Sequence, residues 1–210
     1  LNQLISSIKH TSPPAANIES INFRQTDKEE FTDFKIVKSK TISNMITDIS
    51  PDIAVCSDCL RDMKVQNNRI DYPFINCTNC GPRFTIIKAL PYDRDKTTMS
   101  AFEMCPDCRN EYFDIANRRF HAQPIACSIC GPEYTLLYNG KVITGIKDII
   151  DKIVELIKKK CIVAVKGLGG FFLACDALNE EAVVRLREKK NREGKPFAVM
   201  FSSIDTVKEY

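Results

Sequence analysis

The sequence of 210 residues lacks the features of several common protein classes. No apolar run approaches the roughly 20 residues that a membrane-spanning helix needs, so we expect no membrane segment. The net charge is +3 and the two signs are mixed along the chain, which argues against nucleic acid as a partner. The first residues show no basic segment followed by an apolar core, so we predict no secretory signal and expect a cytoplasmic protein.

The sequence also has no phosphate-binding loop of the Walker type, because its Gly-rich turn, Lys166-Gly167-Leu168-Gly169-Gly170, lacks the required spacing. A stretch from 189 to 196 is richer in cations. It is typical of the charged end of a helix, where Lys and Arg interact well with the helix dipole. Alternatively, Lys190 and Arg192 could lie at the mouth of a phosphate-binding pocket.

Cysteine is the residue that the sequence has in unusual number and order. Eight cysteines form four Cys-x-x-Cys pairs, and two such pairs complete a tetrahedral zinc site. Disulfides are disfavoured because closely spaced pairs in a chain without a secretory signal favour metal binding. The pattern therefore predicts two zinc ions. The pairs are Cys56/Cys59, Cys77/Cys80, Cys105/Cys108 and Cys127/Cys130.

The cysteine array is an internal repeat. Both closing pairs share the form C-x-x-C-G-P-x-[FY]-T-[IL], beginning at Cys77 and at Cys127, and both opening pairs contain Asp before the second cysteine. Repeats of this kind pack as similar units, so we predict two related zinc modules at 56–80 and 105–130. Sequential pairing gives one ion to each module, whereas an interleaved arrangement would let the outer pairs share an ion.

All eight ligand positions are filled by cysteine, which leaves no position for water, so the zinc sites are predicted to be structural rather than catalytic. His121 is disfavoured as a ligand for the same reason, and a hydrogen bond or a contact between domains is its expected role. Arg118 and Arg119 could bind an anion, but a solvated or interface role is the default.

The segments on either side of the array differ from it in character. Residues 1–42 read as a helix that ends near His10, a turn at Pro13-Pro14 and strands at 18–23 and 34–39. Residues 43–140 are dominated by turns, with short strands expected at 83–87 and 133–138 and a hairpin turn at Asn139-Gly140.

Residues 141–210 alternate helix and strand, as an α/β domain does. Apolar spacing predicts a helix over 146–160. Strands are predicted at 161–165 and 196–201, with a helix between them that is capped by Asn179. The first and last residues of the chain both read as parts of helices, and no initiator Met is present, so we expect a piece of a longer polypeptide.

Taken together, these residues resemble the HypF-type carbamoyltransferases, the large maturation proteins of nickel–iron hydrogenases. Residues 1–42 look like the end of an acylphosphatase-like, ferredoxin-like domain, residues 43–140 like the paired zinc fingers, and residues 141–210 like the start of a YrdC-like domain. The fold class implied is a multidomain α+β protein with a zinc-stabilised middle. The match rests on both C-G-P turns, the stretch from Phe120 to Pro124, and the motifs around Lys166 and Lys190.

The resemblance implies an enzyme that uses carbamoyl phosphate and ATP, with Mg²⁺, to form carbamoyl-adenylate. The carbamoyl group would then pass to the C-terminal Cys of the partner HypE, as the source of hydrogenase cyanide. It also implies that Lys190 and Arg192, together with Lys166, bind nucleotide and carbamoyl phosphate. Both flanking sites are incomplete here, so the fragment itself is expected to be inactive.

Three other functions remain open at this stage. Paired four-cysteine modules in series resemble the zinc region of DnaJ-type chaperones, which would make this a zinc-dependent module that docks a partner protein. A zinc-ribbon nucleic-acid protein would need a long cationic run, which 56–130 lacks. A stand-alone YrdC-like enzyme of tRNA modification is disfavoured by the zinc array.

Overall fold

A computed structural model describes residues 2–12, 16–25, 27, 32 and 49–210. Contacts divide the chain into two compact units, Leu1–Pro132 and Glu133–Tyr210. Each unit combines helices with extended or turn segments, and the α+β class predicted from the sequence is confirmed. In the described ranges, none of the helices is long and apolar enough to cross a membrane.

The first unit begins with helix α1, Asn2–His10, which ends where the sequence predicted and buries none of its residues. Residues 16–25 have no regular secondary structure, so the strand predicted at 18–23 is wrong. A strand needs a hydrogen-bonded neighbour, and these residues pair with no described segment. The predicted turn at Pro13-Pro14 and the predicted strand at 34–39 lie outside the described residues.

Turns and two short helices form the cysteine-rich part of this unit. Helix α2 spans Ser57–Val65 and helix α3 spans Pro106–Phe113. The segment predicted as a strand at 83–87 is instead a 3₁₀ turn, because the Asp52 carboxylate accepts hydrogen bonds from the N–H groups of Arg83 and Thr85, at 2.9 and 3.2 Å. The 3₁₀ turns are Asn67–Arg69, Phe84–Ile86, Arg94–Lys96 and Thr98–Ala101.

The core of the first unit consists of two small clusters built around the cysteines. One joins Cys59, Cys77 and Cys80 to apolar side chains, and the other does the same for Cys108 and Cys127. Two clusters of this size bury little apolar surface to offset the conformational entropy of the long turns. We therefore expect bound metal to supply much of the folding free energy. The apolar residues of the clusters are Tyr72, Ile75, Met99, Ala126, Tyr112, Ala122 and Ile125.

The second unit opens with a two-stranded hairpin. Strand β1, Leu136–Tyr138, pairs antiparallel with β2, Lys141–Ile143. Asn139 and Gly140 have φ values of 49° and 74°, the left-handed geometry that a two-residue hairpin turn requires. The predicted hairpin turn is therefore confirmed.

Helix α4, Ile146–Lys158, follows and turns Ile149 and Leu156 into the interior, as its apolar spacing predicts. Strands β3, Val163–Lys166, and β4, Phe171–Ala174, form a second antiparallel pair. The Gly-rich turn joins them, with Gly167 N–H donating to the Gly170 carbonyl at 2.7 Å.

Helix α5, Glu180–Lys189, begins at the predicted cap, where the Asn179 side chain accepts a hydrogen bond from Ala182 N–H. Helix α6, Ile204–Lys208, is the last element. Residues 196–201 have no regular secondary structure and form no ladder with any described segment, so the strand predicted there is wrong.

Candidate metal centre

The first four-cysteine cluster gathers Cys56, Cys59, Cys77 and Cys80. Cys56 caps α2 and Cys59 lies in its first turn, so the helix brings both sulfurs to its N-terminal end. The Sγ–Sγ distances are 3.7 Å for Cys56–Cys77, 3.6 Å for Cys59–Cys80 and 3.8 Å for Cys77–Cys80. The four sulfurs all lie within 4.8 Å of one another.

The second cluster repeats this construction with Cys105, Cys108, Cys127 and Cys130. Cys105 caps α3, with Pro106 at the first helical position. The Sγ–Sγ distances are 3.6 Å for Cys105–Cys127 and 3.8 Å for Cys127–Cys130. The structure therefore groups the cysteines sequentially, one module to each cluster, and brings no interleaved set together among the residues it describes.

Both closing pairs share one turn geometry. The N–H of Asn79 donates to Cys77 Sγ, and the N–H of Ile129 donates to Cys127 Sγ, each at 3.4 Å. Backbone donors aimed at sulfur stabilise the thiolate over the thiol, because the partial positive charge on the N–H meets a full negative charge. The helix N-terminus at each opening pair acts in the same direction.

The spacing of the sulfurs fits a tetrahedral zinc ion. Four sulfurs at the usual Zn–S distance of about 2.3 Å are about 3.8 Å apart, since that is the edge of the tetrahedron. The observed separations of 3.6 to 3.8 Å match this edge. A bound ion would hold the two halves of each module together, and four cysteine ligands leave it no open position for catalysis.

The thiols of each cluster need a cation to ionise together. The hydrogen bond from Cys59 lowers the pKa of Cys77 to about 4, and the same interaction, with burial, raises the pKa of Cys59. In the second cluster, burial raises the pKa of Cys108. Because neighbouring thiolates repel one another in a buried site, a divalent cation would favour the thiolate form of all four sulfurs.

His121 lies outside both sulfur clusters. Its ring packs against three aromatic rings, with centroid distances of 4.6 Å to Tyr112, 4.7 Å to Phe120 and 6.1 Å to Phe113. Its backbone has a φ of 51°, and Asp71, at the equivalent place in the first module, has a φ of 53°. The position is therefore a turn common to both modules.

Arg118 and Arg119 form ion pairs with the carboxylate of Asp62. Arg118 also donates to Cys59 Sγ at 3.1 Å, so both side chains are engaged within the zinc region. Burial would raise the pKa of Asp62, but the hydrogen bond from Arg119 and the charge of Arg118 outweigh it, and the pKa is lowered.

Sequence reasoning missed Arg69, the most deeply buried charged residue described. It pairs with Glu111 at 2.6 Å and donates to Cys108 Sγ at 3.3 Å. Its equivalence to Arg119 in the repeat, as the last residue of Asn-x-Arg in each module, was the available signal.

The predicted nucleotide-binding residues lie in the second unit. Lys190 caps the C-terminal end of α5, and Arg192 follows, with its guanidinium 5.4 Å from the centre of the Phe197 ring. Lys166 lies at the end of β3.

Arg187 is a further residue that sequence reasoning missed in this unit. Its guanidinium donates to the carbonyls of Arg192, Glu193 and Lys195, and it lies 4.7 Å from the centre of the Phe197 ring. Arg187 thereby fixes the backbone of the loop that carries Arg192.

Two family models match the chain. One, described as "HypF finger", matches residues 55–87 and 104–137, which contain the two cysteine modules. The other, the Sua5/YciO/YrdC family, described as "Telomere recombination", matches residues 155–210.

Curated relatives match nearly the whole chain. A carbamoyltransferase HypF from Rhodobacter capsulatus is 42% identical over 208 residues, which cover 99% of this chain and 28% of that protein. One from Synechocystis is 45% identical over 206 residues, covering 95% of this chain and 26% of that protein. The chain therefore spans about a quarter of the length of these relatives.

Two solved structures also match nearly the whole chain. Full-length HypF in a phosphate- and nucleotide-bound form is 46% identical, with a TM-score of 0.85 over 100% of this chain and 27% of that one. HypF from T. kodakarensis is 49% identical, with a TM-score of 0.82 over 99% of this chain and 26% of that one.

Proposed function

Because this chain belongs to the HypF family, and spans about a quarter of the length of its relatives, we propose that it is part of a carbamoyltransferase that acts in hydrogenase maturation. The observation that carries the proposal is the similarity to HypF carbamoyltransferases over 95% or more of the chain, at 42 to 45% identity. The paired cysteine modules and the start of a YrdC-like domain follow one another in the order expected for that family.

In the proposed reaction, carbamoyl phosphate and ATP, with Mg²⁺, give carbamoyl-adenylate with release of phosphate and pyrophosphate. The carbamoyl group then passes to the sulfur of the C-terminal Cys of HypE, with release of AMP. We place the reaction in the cytoplasm. One relative has been solved in a phosphate- and nucleotide-bound form, which supports a phosphate-handling enzyme. The two zinc ions are assigned a structural role, because each cluster offers four sulfurs.

Lys190 and Arg192 are the proposed phosphate-binding cations, with Lys166 as a third. Fixed cations offset the negative charge that develops on phosphate as the adenylate forms. Arg187 supports this role, since its three hydrogen bonds to carbonyls hold the loop after α5 in one conformation. A cation on a held loop loses less entropy when phosphate binds than one on a free loop.

The test is carbamoyl-phosphate-dependent exchange between ATP and pyrophosphate, measured on the protein extended to the full length of its relatives. We expect exchange in the unmodified protein and at least a tenfold loss in Lys190→Ala and Arg192→Ala, because each removes a cation from the phosphates. Lys189→Ala removes the same charge from the same helix end and is the matched control. Equal losses in all three variants would favour a charged helix end rather than a binding site.

The 210-residue chain alone is expected to make no carbamoyl-adenylate, and synthesis by it would contradict the assignment of activity to the longer protein. A full-length protein that is folded and holds two zinc ions, yet catalyses no exchange, would favour the second candidate function. In that case the zinc region would be a docking module for a protein partner, as in DnaJ-type chaperones.

A further inference from the structure

Each cysteine module supplies a buried arginine that contacts the cysteine cluster region of the other module. Arg69 and Arg119 occupy equivalent places in the repeat, each eight residues before its own closing pair. Both are almost completely buried, with 0% and 2% of their surface exposed. Neither directs its guanidinium to the cluster of its own module.

Arg69, from the first module, serves the second cluster. Its guanidinium donates to Cys108 Sγ at 3.3 Å and to Glu111 on α3 at 2.6 Å. Its Nε donates to the carbonyl of Ala126, the residue immediately before the closing pair of the second module, at 3.3 Å. One buried side chain therefore holds both halves of the second cluster.

Arg119, from the second module, makes the reciprocal contacts in the first. Its Nε donates to the carbonyl of Asn76, immediately before the closing pair of the first module, at 3.1 Å, and its guanidinium pairs with Asp62 on α2 at 2.5 Å. Its neighbour Arg118 completes the exchange, since it donates to Cys59 Sγ at 3.1 Å.

These contacts form one continuous path between the clusters. Arg119 Nη1 also lies 3.5 Å from Glu111 Oε1, and Glu111 is the ion-pair partner of Arg69. The contacts therefore run, in order, through Cys59, Arg118, Asp62, Arg119, Glu111, Arg69 and Cys108. We call the five central residues the arginine–carboxylate chain. Arg69 and Arg119 are buried, whereas Asp62 and Glu111 are partly buried. Removing one member therefore leaves an opposite charge with fewer partners in a partly desolvated site, which is costly.

We propose that Arg69, Arg118 and Arg119 are positioning residues that couple the two metal sites, each stabilising the site of the module that does not carry it. The physical basis is the effect of outer partners on metal ligands. A charge-assisted hydrogen bond to a ligating thiolate reduces the repulsion among the four sulfurs and fixes the ligand, and losing such a partner typically weakens metal affinity 10–100-fold. The proposal rests on metal binding and not on the carbamoyltransferase activity.

The test measures metal affinity site by site in the cadmium-loaded 210-residue protein. Cadmium NMR gives one resonance for each site, assigned with Cys→Ser variants, and titration with a chelator gives the relative affinity of each. Arg118→Gln, whose side chain is 25% exposed, should weaken the first site about tenfold and leave the second unchanged. Arg69→Gln should weaken the second site about tenfold and leave the first unchanged.

Arg61→Gln is the matched control, because Arg61 belongs to the first module but makes an exposed ion pair with Asp58 only. It should change neither site. The proposal is overturned if Arg118→Gln weakens the site of its own module, or if it changes neither site.

A second variant covers the case in which Arg69→Gln does not fold. Cys127→Ser with Cys130→Ser destroys the second site directly, and coupling then predicts a loss of about tenfold in affinity at the first site. Unchanged affinity at the first site would show that the two sites are independent and would overturn the proposal.

Discussion

At the scale of single residues, Gly131 is a point of close packing between the two modules. A methyl group added there would lie 1.9 Å from the hydroxyl oxygen of Tyr72 and 2.7 Å from the Cβ of Ala126. The Tyr72 hydroxyl is buried and has no hydrogen-bond partner among the residues that the structure describes. The C-G-P sequence of the second module therefore has its glycine because the first module leaves no space for a side chain.

We predict that Gly131→Ala destabilises the zinc-loaded protein by about 1–3 kcal/mol, the usual cost of overpacking a filled site. Gly169→Ala is the control, since nothing lies within 4 Å of the methyl group it adds. In a Tyr72→Phe background the penalty should shrink, because the nearest clashing atom is gone. Urea denaturation of the parent, the two glycine variants, Tyr72→Phe and the double variant measures this, and a Gly131→Ala variant as stable as its parent would contradict it.

The cysteine ligands were predictable residue by residue, whereas Arg69 and Gly131 were not. Two cysteines three residues apart carry their function in local spacing, so no tertiary structure is needed to group them. Arg69 has its partners at Cys108 and Glu111, about 40 residues away, and its own neighbours give no sign of burial.

At the scale of elements, α5 shows how one side chain sets a helix boundary. The Asn179 side chain accepts the N–H of Ala182 at 3.0 Å, and Glu180 and Glu181 place negative charge at the N-terminal end of the helix dipole. The helix then leads directly to Lys190 and to the loop that Arg187 holds.

We predict that Asn179→Ala destabilises the second unit by about 1 kcal/mol, because it leaves an N–H of the first turn without a partner. Asn179→Asp keeps an acceptor oxygen and should retain the stability of the parent protein. Amide hydrogen exchange along α5 checks both, with faster exchange expected in the alanine variant alone. Equal exchange in the two variants would mean that the cap contributes nothing.

Elements with local signals were predictable, and elements that need distant partners were not. The β1–β2 hairpin is specified by Asn139-Gly140, whose backbone geometry two adjacent residues determine. The predicted strands at 18–23 and 196–201 had suitable composition, but a strand forms only when a neighbour supplies a ladder. At 83–87, the Asp52 carboxylate accepts two backbone N–H groups and stabilises a 3₁₀ turn, although it lies about 30 residues away in the sequence.

At the scale of the whole molecule, the two units differ in what stabilises them. The buried residues of the first unit cluster around sulfur atoms, whereas α4 and α5 of the second bury apolar side chains such as Leu156 and Leu186. Stability of the first unit should therefore depend on metal, and that of the second should not.

We predict that the protein binds two zinc ions per chain and that a strong chelator unfolds the first unit alone. Structural zinc contributes about 10–16 kcal/mol in small zinc-binding peptides, which is more than the first unit can replace. Metal analysis gives the stoichiometry, and hydrogen exchange before and after chelation should show loss of protection in α2 and α3 but not in α4 and α5. Retained protection in α2 and α3 would contradict a structural role for the metal.

Acid, like the chelator, should remove zinc and unfold the first unit. Zinc is bound by deprotonated cysteines. Without the metal, the clusters bind protons, since Cys59 and Cys108 have raised pKa values. Metal binding therefore releases protons, and zinc affinity must fall as the pH falls. We expect zinc transfer to a fixed excess of chelator to increase steadily from about pH 7 to pH 5, with unfolding of the first unit in parallel. Unfolding that preceded zinc release would contradict loss of metal as the cause. The carboxylate of Asp62 does not offer another cause in this range, because its pKa is lowered and its stabilising charge is lost only at a pH below the ordinary pKa of Asp.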